Sequence, residues 1–263
     1  MKYYLDTNVL YNLKQAPPSV VDKSFTSCLS IFELISGIDS SEKFIRRKRA
    51  LEAVAKSNIN IVWELPKNRI ERSFRLEVDN SDAKATRFFF EKLVNVDSFE
   101  EAKELATVYD GKCYKLDTLK NYDDWFCKEM LDLLNNKSTK FEKIEDDDKG
   151  HLKNFVENII VEQFICGMGS EYVRPSDKYF EVLEYYFSNG VIKEYVNFLA
   201  VYIVDKVSKG KTAGKNDAFD IGHLSYMDGV EIFVSSDSMY KELLEKYTHI
   251  INYDVDKYLS IET

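Results

Sequence analysis

The sequence predicts an α/β protein of three layers, with a Rossmann-like parallel sheet held between helices and a mostly helical insertion. Three observations predict it. Short runs at 3–5, 24–28, 59–63 and 231–234 have the length and apolar character of buried strands. Long stretches of helical spacing separate them. Glycine and proline are few, 10 and 4 in 263 residues, which favours helix in those stretches.

Tyr3, Tyr4 and Leu5 read as the first strand, closed by Asp6. Thr7 and Asn8 hand over to Val9, Leu10 and Leu13 at helical spacing. A carboxylate at the end of a buried strand, just before a helix, sits where open α/β sheets place their ligands. Asp is equally a favoured helix cap, and this segment alone leaves both readings open. Residues 24–28 read as a second strand. Residues 29–38 read as a helix capped by Ser30, with Glu33 standing among Ile31, Phe32, Leu34 and Ile35. Residues 41–57 form an amphipathic helix with Phe44, Ile45, Leu51 and Val54 inward. Lys43, Arg46, Arg47, Lys48 and Arg49 make it the most basic segment. A third strand is read at 59–63.

From 67 to 190 the spacing predicts helix after helix, at 67–77, 81–94, 98–109, 118–136, 151–167 and 176–188. The acidic run Glu145–Asp148 reads as an exposed turn. Residues 190–209 form another amphipathic helix with Val196, Leu199, Ala200 and Ile203 inward. A glycine-bearing loop with Lys206, Lys209, Lys211 and Lys215 follows. Asn216 is read as the cap of a helix through Met227 that carries Asp217 and Asp220, three apart on nearly one face. Strand 231–234 runs into Ser235, Ser236 and Asp237, repeating the arrangement at Asp6. A helix at 238–247 and a strand at 249–252 end the chain. A core of 1–80 with 190–263 and a helical insertion of 81–189 is the expected organisation.

Hydrophobic residues make up 44% and charged residues 31%, with a formal net charge of −9. An acidic chain is no general nucleic-acid coat, so any nucleic acid must be met by a local basic surface. The cysteines at 28, 113, 127 and 166 include no CxxC pair, and Cys28 reads as a buried small hydrophobe. No apolar stretch is long enough to span a membrane, and a cytoplasmic location is expected.

Two strands ending in acids, with further acids on two helices, form a constellation. If the strands are neighbours, Asp6, Glu33, Asp217 or Asp220, and Asp237 line one crevice. Clustered carboxylates repel one another unless cations are present. Mg²⁺ or Mn²⁺ suits such oxygen ligands and supports displacement at phosphorus. Zn²⁺ is not expected, because no Cys or His is read as converging on the acids. His223, near Asp220 on a helix, reads as a packing residue or as one behind the ligands. A phosphohydrolase with a nucleophilic Asp would show DxD, whereas the second position here is Asn8.

The segments YYLDTNVL, CLSIFELISG, NDAFDIGH and FVSSD resemble the PIN-domain ribonucleases, the family that includes VapC-type toxins. The likeness covers 1–80 and 190–263. It implies a metal site of Asp6, Glu33, Asp217 and Asp237, with Asp220 as an additional or alternative ligand. Asn8 and Ser235 match the residues that support the first and last acids. It further implies Mg²⁺- or Mn²⁺-dependent cleavage of RNA, in single strands or loops, and an antitoxin or other protein partner. The alternative is a degenerate PIN-like module that binds RNA or protein without cutting. Lys209, Lys211 and Lys215, and secondarily Arg46, Arg47 and Arg49, are the expected RNA contacts.

Overall fold

The computed structural model describes residues 1–75, 77–119, 149–209 and 217–261. A five-stranded parallel sheet has the order β3-β2-β1-β6-β7, from Asn60–Val62, Ser24–Ser27, Tyr3–Leu5, Ile232–Val234 and Ile251–Tyr253. Strand β1 is central and buried along its whole length. Tyr4 pairs in register with Phe25 on one side and Phe233 on the other. β1 and β6 lie side by side although Leu5 and its partner Val234 are 229 positions apart in number. The chain leaves β1 towards β2 and returns on the opposite side as β6, so the sheet has its topological switch point between these two strands.

The helices follow from local signals. α1 (Thr7–Leu10) is capped by Asp6, and α2 (Pro18–Val21) begins with a proline at its first position. α3 (Cys28–Ser36) is capped by Ser27, whose side chain accepts from the Ser30 amide at 3.1 Å, so the expected cap moves three residues earlier. α4 (Ser41–Lys56) is capped by Ser40 and buries Phe44, Leu51 and Val54. Ile45, expected inward, is instead 51% exposed. α5 (Pro66–Ser73) and α6 (Ser81–Leu93) lie close to their expected places.

The helix expected at 98–109 stops early. α7 is Phe99–Glu104, and then β4 (Ala106–Tyr109) and β5 (Lys112–Lys115) form an antiparallel hairpin. Asp110 and Gly111 hold φ of 49° and 77°, the double left-handed conformation of a two-residue hairpin turn. Asp-Gly between β-branched and aromatic residues was a hairpin signal, and the helical periodicity before it obscured it. Expected features at 120–148, including most of the 118–136 helix and the run Glu145–Asp148, lie outside the described residues.

α8 (Lys149–Cys166), α9 (Asp177–Asn189) and α10 (Lys193–Ser208) follow. Phe89, Leu93, Ile160, Ile165 and Val182 belong to the same contiguous core as Tyr4, Leu5 and Phe233. Phe74 of the α5 end stacks on Tyr186 of α9 at 4.9 Å, which joins the helical layer to the sheet side. α11 (Asp217–His223) continues as a 3-10 turn through Tyr226. α12 (Ser238–Tyr247) leads to β7, and α13 (Val255–Leu259) closes the described chain. No described helix is long and apolar enough to cross a membrane.

Candidate active site

The site grows from the carboxyl ends of β1 and β6. Asp6 caps α1, accepting the Thr7 amide on Oδ1 at 2.6 Å. Its Oδ2 accepts from Ser235 Oγ at 2.7 Å and from Asn8 Nδ2 at 2.9 Å. Ser235 stands at the end of β6, where its hydroxyl also accepts the Asp237 amide at 3.1 Å. One serine therefore ties the two strand-end acids together. Asp237 caps α12, accepting the Met239 amide at 2.8 Å. Asp6 and Asp237 are helix caps and crevice acids at once, so the two readings of the sequence do not exclude each other.

Glu33 reaches the crevice from α3, half-buried, and accepts from the Thr7 hydroxyl. Between Asp6 and Glu33 lies His223, 1% exposed. Its Nε2 is 2.9 Å from Glu33 Oε2 and 3.3 Å from Asp6 Oδ1. Its Nδ1 faces the Tyr4 hydroxyl at 2.6 Å, and that hydroxyl meets Ser27 Oγ at 2.8 Å. This corrects the expectation that no histidine converges on the acids. Asp220 and His223 are three apart on one helix, so the spacing could have found it. Spacing alone does not show which way that face points, and the contact of His223 with Tyr4 of β1 does.

The electrostatics follow from burial and crowding. Burial pushes the Asp6 carboxyl up, and Glu33 adds to this, against His223, Ser235 and the Thr7 amide. Burial alone would pull the His223 imidazole down. The Tyr4 oxygen, Glu33 and Asp6 outweigh it and hold the imidazole well above its usual range. The centre thus retains a proton, which supplies the positive charge that two close acids need. Asp220 is pushed up to about 7, first by burial and then by the charges of Asp237, Asp6 and Glu33, with His223 opposing. Those sources place Asp220 in the same crevice.

Asp217, the acid expected first, is engaged elsewhere. It pairs with Lys206 of α10 at 3.1 Å and accepts from the Tyr202 hydroxyl. On the same helix, Asp220 feels the charges of Asp6, Glu33 and Asp237. The structure therefore brings Asp6 and Glu33 together around His223, with Asn8 and Ser235 holding Asp6, and Asp220 lies within electrostatic range of Asp6, Glu33 and Asp237. No family model, curated protein or solved structure matches this chain.

The expected basic contacts divide. Lys209 pairs with Asp205 at 2.8 Å, and Lys211 and Lys215 lie outside the described residues. Arg47 corrects the expectation of an outward RNA contact. Its guanidinium turns inward onto the carbonyls of Glu33 and of Leu34, the latter at 3.2 Å. Both carbonyls lie in the last turn of α3, where the Glu33 carbonyl also takes the Gly37 amide at 3.4 Å, so Arg47 braces the helix that carries Glu33. Arg46 and Arg49 remain exposed on α4.

The donor set fits a divalent cation. One ligand atom each from Asp6, Glu33 and His223 lie within 4.8 Å of one another. The side-chain oxygen of Asn8, beside Asp6, is buried and accepts no hydrogen bond. Carboxylate and amide oxygens suit Mg²⁺ or Mn²⁺, and an imidazole nitrogen extends the range towards softer ions such as Zn²⁺.

Proposed function

We propose that this chain is a PIN-like, divalent-metal-dependent endoribonuclease. The observation that carries the reading is the convergence of Asp6, Glu33 and His223 at the switch point of a parallel β3-β2-β1-β6-β7 sheet, with Asp220 in electrostatic range of Asp6, Glu33 and Asp237. Asp6 and Glu33 would hold the ion, with Asp220 and Asp237 as further carboxylates within electrostatic range of one another. A bound Mg²⁺ or Mn²⁺ supplies Lewis-acid stabilisation of a phosphodiester and a more acidic water. The chain's own residues do the positioning. Ser235 and Asn8 fix one oxygen of Asp6, and the Thr7 amide and hydroxyl fix the other Asp6 oxygen and Glu33. His223 holds a proton at Nε2 beside both acids, and Tyr4 fixes the ring through Nδ1.

One observation favours a second reading, a PIN-like module that binds RNA or protein without cutting. His223 and Thr7 already satisfy the oxygens of Asp6 and Glu33 from within the chain. The two readings separate in one experiment. Purified chain is incubated with single-stranded RNA, with Mg²⁺, with Mn²⁺ and with EDTA, beside the Asp6→Asn variant. Metal-dependent internal cleavage that Asp6→Asn abolishes supports the nuclease. RNA left intact under every condition, with no rise in melting temperature on adding either metal, supports the second reading.

A further inference from the structure

A second site lies at the other end of α1. A groove of about 400 Å³ runs between Tyr11, which follows α1, and the outer stripe of α4, lined by Glu42, Ile45, Arg46, Arg49 and Ala50. The Arg46 guanidinium lies over the Tyr11 ring at 4.6 Å. Ile45 is 51% exposed beside them, an apolar side chain that the core does not use.

The two arginines differ from the cations of this chain that pair with an acid one helical turn away. Lys43 pairs with Asp39, Arg87 with Glu91, Lys153 with Glu157 and Lys209 with Asp205, each to an acid four residues away. Arg46 has Glu42 at the same spacing and lies over Tyr11 instead. Among the described residues no carboxylate pairs with Arg46 or Arg49. On a chain of net charge −9, this leaves a local positive site beside an aromatic face. The volume falls in the ~300–1,000 Å³ range of small-ligand sites, which suits one nucleotide better than a protein surface. Tyr11 is five residues from Asp6, about 8 Å at the rise of a helix.

We propose that this groove is a nucleotide subsite on the RNA path, in which Arg46 and Arg49 take a phosphate and Tyr11 with Ile45 takes the base. The proposal rests on the reading of the crevice as the place where RNA is cut. Guanidinium groups meet phosphate oxygens in pairs, and an aromatic face stacks bases without choosing among them. Glu42, at the N-terminal end of the same stripe, leaves the phosphate to the arginines.

The test is the affinity of a short fluorescein-labelled single-stranded RNA, measured by anisotropy in EDTA at several salt concentrations. EDTA prevents cleavage, so binding is read apart from chemistry. The double variant R46A/R49A should bind about tenfold or more weakly, with a salt dependence flatter by about one to two counterions. Tyr11→Ala should lose about fivefold or more with the salt slope unchanged, since stacking releases no counterions. Arg87→Ala, an exposed and paired arginine elsewhere, should bind as the wild type does. Equal affinity of R46A/R49A and wild type, or an equal loss in Arg87→Ala, overturns the subsite. So does wild-type chain that binds no RNA, a result that would turn the groove over to a protein partner. If wild type binds RNA through the groove but cleaves none with metal, the subsite stands and the nuclease reading falls. If wild type cleaves while R46A/R49A binds unchanged, the reverse holds. Unchanged melting temperatures confirm that the exposed substitutions leave the fold intact.

Discussion

Asp217 and Asp220 are three residues apart on α11, and their partners in the structure differ. Asp217 meets Lys206 and the Tyr202 hydroxyl on the α10 side. Asp220 meets the charges of Asp237, Asp6 and Glu33, which with burial push it up to about 7. The same side chain is thus neutralised by a neighbour in one place and left in a crowd of acids in the other. Spacing along the helix cannot separate them, because both lie near one face. What separates them is which element packs on each edge, α10 on one and the strand ends on the other.

The largest expected effect tests this contrast directly. In single-turnover cleavage with Mn²⁺, Asp6→Asn should lower the rate by about 10³-fold or more, since several kcal/mol of charge stabilisation is lost. Asp220→Asn should cost about 10²-fold, and Asp217→Asn should stay within about threefold of wild type. A larger loss at Asp217 than at Asp220 would reverse the assignment and show that α11 turns its other edge to the substrate.

The next effect is on stability. Removing His223 leaves Asp6 and Glu33 without their internal positive charge, and breaking a buried pair from one side costs about 3–5 kcal/mol. His223→Ala should show that loss in urea unfolding without metal. Because the folded imidazole is raised above its ordinary value of 6.5, its contribution is complete below about pH 6.5 and is lost as pH rises through the folded value. Asp220 acts in the same direction. Its carboxyl moves from 3.8 to about 7 on folding, so the fold prefers it protonated and loses stability between those values as pH rises. Wild-type stability should therefore fall from pH 5 to pH 8. Asp220→Asn should flatten that fall and be more stable than wild type at pH 8, by about 2–4 kcal/mol, while losing activity. A pH profile of Asp220→Asn parallel to wild type would remove Asp220 from the crowded side of the comparison.

The sequence carried the strand positions well because three- and four-residue apolar runs ending in Asp6, Ser27 and Asp237 mark both the strand and the cap that follows. Asp6 and Asp237 stand out for the same reason, whereas Glu33 and Asp220 lie on helices where spacing alone does not single them out. The hairpin at Asp110–Gly111 was legible and was overridden by a helical pattern next to it. His223 and Arg47 were harder. Each takes its meaning from a partner distant in number: Glu33 is 190 residues from His223 and 14 from Arg47. Sequence spacing shows a histidine or an arginine on a helix. Only the packing shows that one is wedged between two acids and the other folded back onto carbonyls. The basic run 43–49 reads as one patch, yet its arginines divide between structure and surface.

The smallest effect concerns that division. Arg47 donates to the Glu33 and Leu34 carbonyls, and Gly37 leaves room for it, since a Cβ there would collide with the guanidinium. Arg47 acts through Glu33, as a positioning residue. Arg47→Ala should lower cleavage about tenfold, a loss typical of residues behind a metal ligand, and raise the metal concentration needed for half-maximal rate. Arg47→Lys should restore it only in part, because one guanidinium nitrogen reaches both carbonyls and the shorter lysine side chain brings its ammonium less far. Gly37→Ala should do less, about two- to fivefold, because the flexible end of Arg47 can move aside and keep part of its bonding. If both changes act by loosening the end of α3, the double variant should be no worse than Arg47→Ala alone. Multiplying losses would mean that Gly37 holds the turn between α3 and α4 on its own account, and that the bracing of Glu33 lies elsewhere than in Arg47.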